Sequence, residues 1–180
     1  MPTMAQGNKK NPQQLQQDIN LAQQYLLNGD FEKASLLYKG LYSDNENNTY
    51  YYRQYLKSLL GLKNYAEAEK LVKKQQKNSK NDHMLTIDLG LVYKESERPD
   101  DAKQQFELAI KNARLEELLG LAGNFINNDL NDYAIAAYTK ARELSKNDKL
   151  YAYEMALAYQ RNGDIPNQIK NYLDYAATTP

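Results

Sequence analysis

The sequence predicts an all-α fold built from repeated pairs of helices, and a periodic alanine is the first observation behind that prediction. Ala34, Ala68 and Ala102 lie 34 residues apart, and a similar four-residue segment precedes each of them. Ala134 and Gln168 continue the series after steps of 32 and 34 residues. A period of this length is the signature of a repeat protein in which each repeat is one pair of helices.

Five further rows of residues follow the same steps, upstream and downstream of the alanine, and they are the second observation. Members of a row share their character, large apolar in one, small in the next and aromatic in others, which five unrelated coincidences would not produce. In chain order the rows are Leu21, Tyr55, Leu89, Leu121, Met155; Ala22, Leu56, Gly90, Ala122, Ala156; Tyr25, Leu59, Tyr93, Phe125, Tyr159; Tyr38, Val72, Phe106, Tyr138, Tyr172; and Leu41, Gln75, Ala109, Ala141, Tyr175.

The spacing within a repeat is the third observation. In the segment around Leu118, Leu121, Ala122 and Phe125 the apolar residues lie three and four positions apart. That spacing gives a single apolar stripe along a 3.6-residue helix. The small residues of the second row let two helices approach closely, and the aromatic residues fill the space between successive repeats.

These rows resemble the tetratricopeptide repeat (TPR) family, whose repeat carries a large apolar residue, a Leu-Gly or Leu-Ala pair, an aromatic residue, then alanine, an aromatic residue and alanine. The third repeat matches this pattern best, through Leu89, Gly90, Tyr93, Ala102, Phe106 and Ala109. The resemblance covers Leu15 to Pro180. It implies an all-α, right-handed α-solenoid of antiparallel helix pairs, the TPR superhelix, with repeats at about 15–48, 49–82, 83–114, 115–148 and 149–180.

Turn and cap residues mark where the predicted helices begin and end. We expect left-handed glycine at Gly29 and Gly163, where a helix ends, and oxygen side chains capping the first helices of repeats two, three and five at Asn48, Asp82 and Asp148. Two prolines fit the first turn of a second helix, Pro99 and Pro166.

The junction between repeats three and four departs from the pattern. The step is two residues short, and Ala113-Arg114-Leu115 offers no capping side chain. We therefore expect a nearly continuous helix or a tight bend there.

The two ends of the chain carry further expectations. Residues 1–14, rich in Gln, Asn and Lys, predict a disordered lead-in. Within them Thr3 and Ala5 resemble the end of a secretory signal peptide, which favours export over a cytoplasmic location, with an accidental resemblance as the alternative. Pro180 lies at a repeat boundary with no polar capping helix after it, which predicts a fragment of a longer protein; the alternative is a fifth repeat that is polar enough outside, with Lys170, Asn171 and Asp174 exposed.

The amino-acid composition argues against several classes of function. Lys+Arg and Asp+Glu both total 23, so the net charge is zero and a nucleic-acid partner is not expected. There is no Cys, and His83 is the single His, so we expect no metal site and no nucleophilic catalysis. The adjacent acids Asp100-Asp101 and Glu116-Glu117 suit helix N-termini rather than a catalytic pair. No cofactor is expected.

The 16 tyrosines need an explanation. Those in the rows, Tyr175 included, are predicted to be buried filler. Tyr50, Tyr51, Tyr52, Tyr151 and Tyr153 are not all accounted for in that way.

The resemblance also implies a binding groove, because in TPR proteins the first helices line a concave surface that meets the ligand. Transferred by row, that surface is apolar with a cationic edge and suits an extended peptide or a helix with acidic groups near Arg53 and Lys57. The alternative is that Leu91, Leu119 and Leu157 pack against neighbouring first helices. The predicted groove residues are Tyr50, Arg53, Lys57, Ile87, Leu91, Lys94, Leu119, Ile126, Tyr153, Leu157 and Arg161.

The resulting functional prediction is a non-enzymatic protein-interaction scaffold that takes a protein or peptide partner, without membrane insertion. Its composition is typical of an AT-rich bacterial genome. Two alternatives stay open. One is a regulatory or spacer domain of a multidomain enzyme or transcription regulator, and the other is a self-assembly module that forms a homo-oligomer through the uncapped C-terminal repeat.

Overall fold

The computed structural model describes residues 11–79 and 82–178, and in those ranges the regular structure is entirely α-helical. The predicted all-α fold of antiparallel helix pairs is confirmed. The ten helices are α1 (Pro12–Leu27), α2 (Phe31–Asp44), α3 (Thr49–Gly61), α4 (Tyr65–Asn78), α5 (His83–Glu95), α6 (Pro99–Asn112), α7 (Leu115–Asn127), α8 (Asn131–Ser145), α9 (Ala152–Arg161) and α10 (Ile165–Ala176).

The chain divides into two units, Met1–Leu71 and Val72–Pro180, with the boundary inside α4. In unit 1, α2 packs against both α1 and α3. In unit 2, α5 packs with α6, α7 with α8 and α9 with α10, while α8 also contacts α6 and α9. In the pairs α1–α2, α5–α6, α7–α8 and α9–α10 each helix therefore covers the apolar stripe of its partner, and in unit 2 successive pairs stack on one another.

Small residues lie where the two helices of a pair cross. Ala34, Ala68, Ala102 and Ala134 are at most 3% exposed. At Gly90 even a methyl group would overlap the ring of Phe106, so the first helix of that pair lies directly on the aromatic ring of the second. The periodic small residues are therefore a requirement of helix packing.

The N-terminal lead-in predicted for residues 1–14, with its export signal, falls mostly outside the described residues. Within them, α1 already begins at Pro12, and the Asn11 Oδ1 atom accepts a hydrogen bond from the Gln14 backbone N–H at 2.8 Å. The last residues of the predicted lead-in are thus a helix cap and a first turn, because Asn and Pro are the residues that favour a helix start.

Two of the three predicted N-caps are confirmed. The Asn48 Oδ1 atom accepts from the backbone N–H groups of Tyr50 and Tyr51 at 3.0 and 3.1 Å. The Asp82 Oδ1 atom accepts from the Met84 N–H at 3.0 Å. In both cases a side-chain oxygen satisfies donors that the first turn leaves free.

The third predicted cap, Asp148, is wrong. The chain forms a turn at that point, and α9 begins only at Ala152, after Tyr151 in a left-handed conformation (φ 56°). The oxygen that supports this turn belongs to Asn147, which accepts from the Lys149 N–H at 3.0 Å. An Asx turn has replaced the first turn of the expected helix.

The tight turns inside the helix pairs use the left-handed region. Gly29 and Gly163 have φ of 76° and 72°, as predicted. The equivalent turns of the three other pairs place a non-glycine residue there, with φ of 56° at Lys63, 60° at Glu97 and 56° at Asp129. Each of these costs about 1–2 kcal/mol relative to glycine, which the packed helices on either side offset.

Both prolines lie in the first turn of a second helix, as predicted. Pro99 is the first residue of α6, and Pro166 is the second residue of α10. In α6 no side chain caps the helix; instead the Asp101 carboxylate accepts from the Arg98 Nε at 2.7 Å. An acid in the first turn also suits the positive end of the helix dipole.

The junction between α6 and α7 is a tight bend, and the alternative of a continuous helix is wrong. Ala113 and Arg114 are both extended, with ψ of 141° and 163°. As expected, the N-cap residue Arg114 makes no side-chain cap hydrogen bond, and Glu117 compensates from inside the helix. Its carboxylate accepts from the Arg114 backbone N–H at 2.8 Å and from the Arg114 Nε at 3.3 Å. The carboxylate three residues into α7 thus compensates for the missing cap.

This cap predicts a pH dependence. Hydrogen bonds from the Arg114 side chain and backbone lower the pKa of Glu117 below its ordinary value. A carboxyl pKa that is lower in the folded state stabilises the fold above the unfolded pKa of about 4.3, and this contribution disappears as the pH falls through the folded pKa. Thermal unfolding should therefore show Glu117→Gln less stable than wild type at neutral pH and equal to it in strong acid. A gap that persists unchanged in acid would contradict the role of the charge.

A buried polar network joins α8, the turn before α9, and α10. Asn171 was predicted to be exposed, but it is only 3% exposed. Its Oδ1 accepts from the Arg142 Nη2 at 2.8 Å, and the Arg142 Nε donates to the Leu150 carbonyl at 2.8 Å. Asn171 is buried because it pairs an arginine that sequence spacing alone does not place beside it.

We predict that Arg142→Met lowers the free energy of unfolding by about 2 kcal/mol, because it leaves the buried Asn171 amide oxygen and the carbonyl of the half-buried Leu150 without their donor. The matched control is Arg98→Met, which removes an arginine from an exposed ion pair and should cost less than about 1 kcal/mol. Urea denaturation of the two variants measures the difference. Equal losses would mean that the network adds nothing beyond an exposed pair.

Candidate functional site

The site predicted from sequence lies on first helices, and unit 2 supplies three of them. The first turn of α5 contacts α7, where the His83 Nε2 lies 3.8 Å from the Glu117 Oε2. Further along α7, the Asn124 Nδ2 lies 3.6 Å from the Met84 Sδ. His83 was predicted to be solvated, but its side chain is 18% exposed because α7 partly covers it.

The α7–α9 contact is made at their C-terminal ends. The Arg161 Nη1 donates to the Ile126 carbonyl at 3.5 Å. One residue on, the Asn162 Nδ2 donates to the Asp132 Oδ1 at 2.6 Å, which ties the end of α9 to the start of α8. α5, α7 and α9 therefore lie side by side in unit 2.

We call the outward surface of these three helices the first-helix face. Its apolar centre is exposed: Leu119 is 43% exposed, Tyr153 44% and Leu157 36%. Leu91 and Ile126 are half-buried beside them. Leu119 and Leu157 thus retain much of their surface beyond their contacts with neighbouring helices. The face consists of Leu91, Lys94, Leu119, Ile126, Tyr153, Leu157 and Arg161.

Ile87 does not belong to this face. It was predicted to line the groove, but its side chain is fully buried. On the helical wheel Ile87 lies about 40° from Leu91 and on the opposite side of α5 from the buried Leu85 and Leu89, so α5 buries side chains on both of its sides. A buried side chain has no surface to offer a ligand.

The cations of the face are already engaged in part. The Lys94 Nζ lies 3.7 Å from the Glu95 Oε1, in a pair whose side chains are about half exposed. Such a pair is weak, so a ligand carboxylate can replace Glu95 at little cost.

Tyr153 is positioned by two other aromatic rings of unit 2. Its ring centroid lies 6.1 Å from that of Tyr172 and 5.3 Å from that of Tyr175. Tyr175 was predicted to be buried filler, but it is 45% exposed. The two exposed rings present one continuous aromatic surface at the start of α9 and the end of α10, of the kind that interfaces use as anchors.

Unit 1 carries the remaining predicted site residues on α3. Tyr50 is 42% exposed, and its ring meets the edge of Tyr38 at 6.4 Å and of Tyr51 at 5.9 Å. Burial raises the pKa of Tyr38, whose hydroxyl oxygen lies 3.5 Å from that of Tyr50. Arg53 and Lys57 are exposed on the same helix. All of these contacts and exposures lie within unit 1.

The structure also answers the question of the remaining tyrosines. Tyr51 and Tyr52 are buried at 8% and 2% exposure, so they belong to the core of unit 1. Tyr151 is half-buried, with its ring 5.6 Å from Tyr138. Only Tyr50 and Tyr153 of that group of five expose a large part of the ring.

One exposed apolar stripe was missed from the sequence. Ile165, Ile169 and Leu173, four residues apart on α10, are 61%, 53% and 65% exposed. The spacing of four was visible in the sequence, but these residues lie outside the periodic rows that were used to choose candidates. We call them the α10 stripe.

The acids considered for chemistry serve helix starts instead. Asp100 and Asp101 lie in the first turn of α6, and Glu116 and Glu117 in that of α7, as predicted. Within residues 11–79 and 82–178, no three His, Asp or Glu side chains are grouped closely enough to hold a metal ion. None of the helices described in those ranges is long and apolar enough to cross a membrane.

The helices define the class of protein: an all-α chain of antiparallel helix pairs, the arrangement that TPR repeats have. The solved structures that resemble it include MamA (18% identity, 89% of this chain and 88% of that chain covered, TM-score 0.46) and a MamA RS-1 double mutant (20% identity, 94% of both chains, TM-score 0.48). A third is the C-terminal part of a TPR repeat-containing protein from Cytophaga hutchinsonii (19% identity, 89% of this chain and 64% of that chain, TM-score 0.44). No protein-family model matches the chain, and no curated protein matches it.

Proposed function

We propose that this chain is a protein-interaction scaffold without catalytic activity of its own, and that its first-helix face binds a peptide or a helix of a partner protein. The observation that carries the proposal is the exposed apolar centre of the face, formed by Leu119, Tyr153 and Leu157. Large apolar side chains that lie together in water usually mark a contact surface.

Geometry favours an elongated ligand. The apolar side chains come from different helices, Leu91 from α5, Leu119 from α7, and Tyr153 and Leu157 from α9, so a ligand that covers them must cross several helices. A peptide or one face of an amphipathic helix has that form. Tyr153 suits an anchor, because tyrosine combines a large apolar ring with a hydroxyl group at its tip.

Acidic groups in the partner are part of the proposal. Lys94 and Arg161 border the face in unit 2, and Arg53 and Lys57 are exposed on α3 of unit 1. Charges at the rim of an interface mainly set orientation and association rate, whereas the apolar centre provides most of the affinity. We therefore expect salt to slow binding without abolishing it.

The proposal is tested by site-specific photo-cross-linking. A photoreactive phenylalanine analogue replaces Leu119 or Leu157 in cells that naturally express the protein, and the matched control replaces Leu36, a leucine on α2 that is 72% exposed. We expect the same partner band from positions 119 and 157 and none from position 36. No band from either face position would favour the alternative of a spacer or regulatory domain.

Self-association is a second candidate function, favoured by the α10 stripe. Three large aliphatic side chains in one row, each more than half exposed, can be buried by a second copy of the chain. Sedimentation should then show a concentration-dependent dimer that Ile169→Glu with Leu173→Glu disrupts, whereas Leu36→Glu has no effect. A wild-type monomer at the highest concentration reached would overturn this candidate.

A further inference from the structure

A second surface of unit 2 lies on the second helices, apart from the first-helix face. α6 and α8 pack side by side and leave an open groove of about 460 Å³ between them. The groove is lined by Glu107, Ile110, Lys111, Asp132, Tyr133 and Ala136.

The floor of the groove is apolar and fixed in place. The Tyr133 ring packs 4.9 Å from Phe106 and 5.6 Å from Phe125, so two buried rings hold it from behind. Tyr133 itself is half-buried, and the nearly buried Ile110 extends the floor along α6. A ring that is held this firmly offers a ligand a preformed surface.

One end of the groove is negatively charged. Asp132 is held by the Asn162 amide at its Oδ1, which leaves its Oδ2 for a ligand. Glu107 lies 3.9 Å from the Lys103 Nζ, but both side chains are at least 60% exposed and the pair is therefore weak. Burial, followed by the charges of Glu107 and Asp132, raises the pKa of Tyr133.

A lysine next to the other end of the groove serves the fold. The Lys140 Nζ donates hydrogen bonds to the carbonyl oxygens of Ile110 and Lys111, in the last turn of α6. This ammonium group caps the helix, where a cation also suits the dipole. Together with the exposed Lys111, it gives the groove opposite charges at its two ends.

We infer that this groove binds a lysine or arginine side chain of a partner protein, whose charged head lies at Glu107 and Asp132 and whose stem lies on the Tyr133 ring. The aliphatic stem buries apolar surface against the ring, and the charged head meets the two carboxylates. The apolar floor beyond the ring, at Ile110 and Ala136, fits the apolar residue that follows the cation in a polypeptide. A free polyamine has no group for that part of the floor.

The test uses an acetylated and amidated tetrapeptide, glycine-arginine-leucine-glycine, as the probe. Its control peptide carries citrulline in place of arginine, which keeps the shape and removes the charge. Amide chemical shifts of the protein are followed by NMR during titration. We expect the arginine peptide to shift residues 107–111 and 132–136 and the citrulline peptide to leave them unchanged.

The matched variants separate a site from general charge attraction. Glu107→Gln with Asp132→Asn should weaken the arginine peptide about tenfold, because both carboxylates face the cation. Asp100→Asn with Glu143→Gln removes two charges from the same helices outside the groove and should leave the affinity unchanged. Equal weakening by both pairs, equal binding of the citrulline peptide, or groove shifts with spermidine alone would each overturn the inference.

Discussion

Phe106→Ala is expected to lower the free energy of unfolding by about 4 kcal/mol, the largest effect of any single substitution considered for this chain. The ring is 2% exposed and lies 5.6 Å from Phe125 and 4.9 Å from Tyr133. It also fills the space directly against Gly90. Truncation therefore removes the aromatic contact between two successive helix pairs and leaves a cavity that rigid helices cannot close.

Urea denaturation of the protein, followed through its helicity, measures this loss of stability. Phe106→Leu is the control. Leucine keeps most of the volume and should cost about 1–2 kcal/mol. The complementary variant, Gly90→Val, should also destabilise the fold, because its side chain would enter the space of the ring. If Phe106→Ala cost no more than Phe106→Leu, the ring would not be the centre of this core.

Leu119→Lys combined with Leu157→Lys is expected to weaken partner binding about 100-fold or more, because each change replaces apolar surface by a charge that the complex would have to bury. Both leucines are exposed, at 43% and 36%, so the free protein should keep its stability within about 1 kcal/mol. Calorimetric titration with the cross-linked partner measures the first quantity, and thermal unfolding measures the second.

The control for this pair is Leu36→Lys with Leu144→Lys, two leucines that are 72% and 51% exposed on second helices. It adds the same charge and replaces the same two side-chain types, away from the first-helix face. Binding that falls equally in both double variants would attribute the effect to net charge. If the Leu119→Lys, Leu157→Lys variant bound the partner as wild type does, the apolar centre of the first-helix face would not be part of the interface.

Sequence reasoning predicted the fold well, because the fold depends on local signals that repeat. Ala34, Ala68 and Ala102 mark helix crossings wherever they occur, and one period of 34 residues therefore gives the helix pairs. The caps at Asn48 and Asp82 follow the same logic, since each acts on the backbone two or three residues away.

The failures lie where a non-local partner decides the structure. Asn171 is a polar residue by composition, and only the approach of Arg142 from 29 residues away explains why it is buried. Ile87 was assigned to the groove by row, yet its side chain is fully buried, and a row does not show which neighbouring helix covers it. At the α6–α7 junction the missing cap was supplied from within the helix by Glu117, which a rule that looks only before a helix does not find.

Row transfer predicted that Leu119, Tyr153 and Leu157 are exposed, which they are, while their part in binding stays a prediction. It did not predict the α10 stripe or the α6–α8 groove, because both lie on second helices and the transferred positions all lie on first helices. Surface on a second helix depends on what packs beside it, which one sequence does not reveal.

The central claim, that the first-helix face is the partner surface, is tested most directly by amide hydrogen exchange of the free and partner-bound protein. The account predicts that binding slows exchange in α5, α7 and α9, around Leu91, Leu119 and Leu157, and leaves α2 around Leu36 unchanged. Protection confined to second helices, with α7 and α9 unchanged, would contradict it.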